Sequence, residues 1–338
     1  MKKFITKSLI FSAILALLFL PLGIGLDPYN IFHWRHIRNH GVEPNKSYVK
    51  MQNVIHNPEE FDSFFFGSSR AGFFDVTKMN DGKYYNMAYS EGLPAEHLKN
   101  LKEMKAKGVP IRNVTLSVDD ISFFVDPAMH GDQLYRKQYP VTGSLSDKLG
   151  FYVAYLDPVT LKQSIPVIRE HVDSDPGYGQ RLLATGSENL EIEPDFNYDL
   201  MIAAWPDYYA PREESLDDIA AIVDFCEENH INLRVFTNPV NAVTYQKGVE
   251  NGYLDFLRKL ADVTPYWNFS GYNDITMDMD LYYETSHFTP AVADTVIDCV
   301  YNGKTDEDLL AQGYGVYVTK DNADDLYDLL KNQAESVP

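Results

Sequence analysis

Nine consecutive residues, Phe61-Asp62-Ser63-Phe64-Phe65-Phe66-Gly67-Ser68-Ser69, limit the folds open to this chain more than any other stretch. Consecutive aromatics bury both faces of an extended segment, which suits a strand inside a sheet covered on both sides. The small residues that close the run suit a turn at the strand's end.

The same rhythm recurs downstream. Residues 84–89 and 114–118 read as further buried strands, and 94–107 between them as a helix with Pro94 in its first turn and Gly108 at its end. The rhythm stops near Asp120 and resumes near Ser215. There Ser215 precedes Asp218 as in a capping box, and Leu216, Ile219, Ala220 and Val223 form a helical stripe. Residues 233–236, 253–260 and 266–269 continue as strand, helix and strand. Thr289 and Pro290 then open a helix with Ala293, Val296, Ile297 and Val300 on one face. Residues 314–319 and 323–330 add a strand-like and a helical piece. This is βαβ punctuation, and it predicts an α/β domain built on a central parallel sheet. The expected divisions are a membrane or signal segment (1–26), a connector (27–60), the α/β domain (61–303) with a large insertion at about 121–214, and a C-terminal extension (304–338). The insertion, rich in Tyr, Pro and Asp, reads as a lid over a site or as a partner-docking subdomain.

Leu9 to Leu26 is an 18-residue run without a charge, preceded by Lys2, Lys3 and Lys7. Extended back to Phe4 it approaches the ~20 residues of a spanning helix, and the basic flank predicts a cytoplasmic N-terminus with the remainder outside. The alternative is a cleaved signal peptide with Gly23 and Gly25 at the cleavage site, although Pro21, Leu22 and Ile24 make a poor polar cleavage region. Either way the bulk of the chain is expected to be exported, as a single-pass membrane protein or a secreted one. With 49 acidic against 29 basic residues the formal charge is −20, which repels phosphate backbones and argues against a nucleic-acid partner. It also repels anionic headgroups, so membrane attachment falls to the apolar segment.

Cys226 and Cys299 sit in stretches of helical apolar spacing and read as free, buried thiols. His33, His36 and His40 in the connector are spaced for one face of a juxtamembrane helix, and without a Cys or carboxylate completing the set no metal is assigned.

The chemistry-bearing candidates lie in two blocks. Ser68 and Ser69 follow the first strand, and in an open parallel sheet reactive groups gather at the carboxyl ends of strands. Far downstream, Glu284-Thr285-Ser286-His287 stands just before the last core helix, so one loop supplies an imidazole base and a carboxylate to orient it. Asn238-Pro239-Val240-Asn241 ends another strand before a long helix, as a turn or a substrate contact.

These blocks resemble the SGNH (GDSL-type) hydrolase superfamily, within it the membrane-anchored cell-envelope branch of teichoic-acid D-alanyl transfer (DltD-like) and polysaccharide O-acetyltransferase-like proteins. The resemblance covers residues 61–300 in order of motifs. It implies a three-layer, flavodoxin-like fold in which Gly67-Ser68-Ser69 makes Ser69 the nucleophile and Glu284 to His287 carry the base and its carboxylate. It implies oxyanion donors at Gly92, or at Glu91 through its backbone, in the block Asn86 to Gly92, and at Asp119, in Ser117-Val118-Asp119-Asp120. The family has Asn where Asp119 stands here. A carboxylate accepts but cannot donate, so Asp119 must be protonated, hold Arg70 or another cation, or leave the hole a donor short. The implied activity is extracytoplasmic serine acyl transfer, O-acetyl or D-alanyl, onto a bacterial wall polysaccharide or teichoic acid, with no cofactor. The alternatives are an esterase or deacetylase, or a catalytically vestigial docking module for a membrane acyltransferase of the MBOAT type.

Overall fold

The structure, a computed structural model, describes residues 2–130, 133–170, 177–188, 206–207 and 209–336. Much of the last third of the expected insertion therefore lies outside the described residues. The chain divides into two units, Met1–Asn53 with Gly131–Gln180 and Val54–His130 with Arg181–Pro338.

The first unit carries the helix Lys2–Leu26, whose stretch Lys3–Leu26 is long and apolar enough to cross a membrane. Gly23 lets that helix approach Leu156 and Leu161, where a Cβ would come within 2.8 Å and 3.2 Å of their methyls. The unit's core is aromatic: Tyr48, Phe151 and Tyr155 pack with Ile31, and Tyr29, Phe32, Tyr139 and Tyr152 close around them. Asn45 ties it together by donating to the carbonyls of Leu134 and Lys137. The helical face expected for His33, His36 and His40 is absent, because residues 27–45 form turns. The Asp27 carboxylate accepts the backbone N–H groups of Ile31, Phe32 and His33, and this local turn outcompetes the helix that the spacing suggested.

The second unit holds a six-stranded sheet: β1 Ser63–Phe66, β2 Tyr84–Asn86, β3 Asn113–Val118, β4 Asn232–Thr237, β5 Tyr266–Asn268 and β6 Val316–Val318. The order is β2-β1-β3-β4-β5-β6; the first five strands are parallel and β6 is antiparallel on the edge. Alternation along β1 explains its unbroken aromatic run. Phe65 points to one face, where it meets Phe74, Phe236 and the helix Pro290–Asn302 through Val292, Val296 and Ile297. Phe66 points to the other, against His97 of the helix Pro94–Ala106. The helices Glu214–Glu228, Tyr253–Val263 and Ala323–Ser336 extend that second layer. What reads in sequence as one long helix after Asn241 is two, Ala242–Glu250 and Tyr253–Val263, parted at Gly252, whose φ of 95° only glycine adopts without strain. Cys226 and Cys299 are free and buried. In the order 2-1-3-4-5 successive connections run in opposite directions from β1 and β3, which opens a crevice at the carboxyl ends of these two strands.

Candidate active site

The chain leaves β1 through Gly67, and the reason for glycine is space: a Cβ there would lie 2.1 Å from Ser117 Oγ and 2.7 Å from Ala71 Cβ. Ser68 and Ser69 follow, and Ser69 begins a 3-10 turn, Ser69–Phe73. The two hydroxyls part ways. Ser68 is buried and donates to Asp119 Oδ2 at 2.6 Å, whereas Ser69, half-buried, has its Oγ 2.8 Å from His287 Nε2. Burial and a committed proton disqualify Ser68 as nucleophile, and the geometry selects Ser69 without appeal to any motif.

His287 sits on the loop before the helix Pro290–Asn302, anchored by an antiparallel bridge between Tyr282 and Phe288 and by Tyr283 N–H donating to the His287 carbonyl. Its Nδ1 is hydrogen-bonded to Glu284 Oε1, while Glu284 Oε2 accepts the Ser286 N–H at 2.5 Å. Burial pushes the Glu284 carboxyl up, but the bonds from His287 and Ser286 outweigh it and hold the group below the usual carboxylate range. An ionised acceptor on Nδ1 makes that nitrogen the protonated one, which leaves Nε2 as an acceptor facing the Ser69 hydroxyl. The three side chains are thus aligned as nucleophile, base and orienting carboxylate.

Behind them lies a buried charge cluster. Arg70, 2 % exposed, pairs with Asp120 at 2.7 Å and Asp119 at 3.0 Å, and its Nε donates to the Ser286 carbonyl at 2.7 Å. Burial works against its charge, but the two carboxylates hold Arg70 protonated. Burial also raises Asp119, yet Arg70, Ser68 and Asn238 together bring it below its ordinary value. Burial beside a second acid leaves Asp120 raised, to about 6. Asp119 caps the short helix Asp120–Phe124 by accepting the Ser122 N–H.

Asn238, fully buried, donates to Asp119 at 3.0 Å and to Ser117 at 3.3 Å, so it braces the charge cluster rather than facing a substrate. Gly92 lies against the end of β1, where a Cβ would come within 2.5 Å of the Gly67 carbonyl oxygen, but its N–H is spent on Tyr89 O at 2.9 Å. Gly92 therefore does not offer the oxyanion donor that the family pattern implies, and Asp119 binds Arg70 instead. The Ser69 N–H, as that of the first residue of its turn, has no intrahelical acceptor. Asp120 and the Ser286 carbonyl, both partners of Arg70, went unassigned in the sequence because an acid opening a helix and a loop carbonyl carry no chemical signature there. The described residues contain no cluster of three or more His, Cys, Asp or Glu suited to a metal ion. Set against models of known protein families and against curated protein sequences, the chain matches none.

Proposed function

We propose that this protein is an SGNH-like serine acyltransferase of the bacterial cell envelope, anchored by its N-terminal helix, that moves an acetyl or D-alanyl group to a hydroxyl of a wall polysaccharide or teichoic acid. The observation that carries the reading is the single chain of contacts from Ser69 Oγ through the His287 ring to Glu284. The resemblance to the SGNH motifs and the apolar helix Lys3–Leu26 support it, the second by offering an anchor on the exported side of a membrane. In this reading Ser69 Oγ attacks the acyl carbonyl as its proton passes to His287 Nε2. The leaving oxygen takes that proton as its bond to the acyl carbon breaks, and an acyl-Ser69 ester remains. A sugar hydroxyl then gives its proton to Nε2 and attacks the ester, and as the acyl–Oγ bond breaks Ser69 Oγ takes that proton back from Nε2. The scarcity of oxyanion donors favours an activated acyl donor over an ordinary ester, since each missing donor costs about 10²–10³ in rate.

The test compares wild type with Ser69→Ala, measuring O-acyl groups on the envelope in cells and ester hydrolysis by the purified protein. Loss of envelope acylation with little hydrolysis in either protein is expected. Loss of a substantial hydrolytic activity would make the protein an esterase or deacetylase. Equality of mutant and wild type in both would overturn catalysis and leave docking to a membrane acyltransferase of the MBOAT type.

A further inference from the structure

The first unit leaves a row of large apolar side chains uncovered. On the helix Leu145–Ala154, Leu145, Leu149 and Val153 are 85, 62 and 56 % exposed, and Val159 at the start of the next helix is 61 % exposed. Residues four apart share one helical face, so the first three form a stripe rather than scattered exceptions. The same helix is firmly seated on its other side, where Phe151 is 2 % exposed within the aromatic core. An apolar stripe of this size on a well-packed helix marks a surface that meets something apolar.

Two observations say what. The first is its neighbour. The N-terminal helix reaches this part of the unit at its last turns, with Gly23 against Leu156 and Leu161, and Leu20 lines one cavity together with Val153, Ala154 and Leu156. A bilayer crossed by Lys3–Leu26 has its outer interface at those turns, where Val153 stands. The second is charge. Of the 49 acidic residues 41 belong to the second unit, with 17 of the 29 basic ones; the first unit has 8 acidic residues and 12 basic ones, of which Lys2, Lys3 and Lys7 precede the span, leaving 9 basic against 8 acidic on the stripe's side of it. The unit that carries the stripe is therefore the one that anionic headgroups do not repel.

We propose that the face formed by Leu145, Leu149, Val153 and Val159 lies in the boundary between headgroups and acyl chains of the bilayer, as an interfacial helix beside the span. The proposal rests on the reading of Lys3–Leu26 as a spanning helix. It gives the first unit two attachments to the membrane, a span and a surface helix, which restrict how that unit swivels about the anchor.

The test uses the full chain in vesicles of phosphatidylethanolamine and phosphatidylglycerol, with a nitroxide placed singly through Leu17→Cys, Leu149→Cys, Val153→Cys and, as an aqueous reference, Glu228→Cys. The native Cys226 and Cys299 are 1 % and 9 % exposed, and unmodified protein checks that they stay unlabelled. Relaxation of each label by oxygen, which concentrates in lipid, is compared with relaxation by a water-soluble nickel chelate. The expected result is that oxygen dominates at 17, 149 and 153, most strongly at 17, and that nickel dominates at 228. If 17 lies in lipid while 149 and 153 behave like 228, the proposal falls and the span stands; if 17 is also aqueous, both fall. Labels at 149 and 153 shielded from both reagents would put protein on this face and overturn the proposal as well.

Discussion

Arg70 is the residue whose removal tests the most physics at once. Arg70→Met keeps much of the volume but deletes a guanidinium that is 2 % exposed and bonded to Asp120, Asp119 and the Ser286 carbonyl. The two carboxylates then remain buried without their cation, and breaking a buried pair in this way costs about 3–5 kcal/mol. With an m-value of about 1–3 kcal/mol/M in urea, that moves the denaturation midpoint of the full chain in mild detergent down by about 1–5 M at pH 7. The pH dependence gives the sign. In the wild type Asp119 has a lowered value, so its contribution is present at neutral pH and is lost only in strong acid, while Asp120, raised to about 6, is stabilising in its neutral form and loses that contribution as pH rises from 3.8 towards 6. Without Arg70, burial pushes the Asp119 carboxyl up and Asp120 above its value of about 6, so the folded mutant takes up protons that the wild type does not as the pH falls from 7 to 5. The gap between mutant and wild type therefore narrows as the pH falls through that range. An unchanged midpoint at pH 7, or a deficit equal at pH 7 and pH 5, would refute the assignment of Arg70 as a charge held by two buried acids.

Two other substitutions probe the loops around Ser69. Glu284→Gln keeps the shape but loses the charge that steadies protonated His287, so turnover of an activated ester in steady-state assays should fall by up to about 10⁴-fold with melting temperature nearly unchanged; unaltered turnover would remove Glu284 from the mechanism. Gly92→Ala drives a methyl to 2.5 Å from the Gly67 carbonyl oxygen and 2.7 Å from the His97 ring, so thermal unfolding should show a loss of about 1–3 kcal/mol. Gly150, in a helix where an added methyl would meet nothing within 4 Å, serves as the contrast, and alanine there should stabilise by up to about 1 kcal/mol.

The parallel sheet was legible because its strands are short apolar runs bounded by turn residues, and all six strands fall where those runs lie, from Ser63–Phe66 to Val316–Val318. The antiparallel direction of β6 was not, since Tyr314 to Thr319 carries no mark of orientation. The pair Ser68 and Ser69, with Glu284 and His287, could be named in advance because a strand end followed by small residues and a His before a core helix are local patterns, and only the family resemblance chose Ser69 over Ser68. Their supports could not. Whether the Gly92 N–H is free depends on a bond to Tyr89, and whether Asp119 donates, accepts or pairs depends on Arg70, Ser68 and Asn238 converging from other strand ends. The connector shows the opposite failure, in which the regular spacing of His33, His36 and His40 suggested a helix that one carboxylate, Asp27, replaces with a turn.

Acyl transfer through this site requires an ester on Ser69, and that ester can be trapped. Wild type and Ser69→Ala are mixed with an activated acetyl ester, quenched in acid within the first turnover and digested for mass analysis. One acetyl group is expected on the wild-type peptide that contains Ser69, assigned to that residue by fragmentation, and none on the mutant peptide. The adduct should also disappear when a wall-polysaccharide acceptor is added. An adduct on Ser68 or elsewhere, or no adduct at any time point in folded protein, would contradict the mechanism.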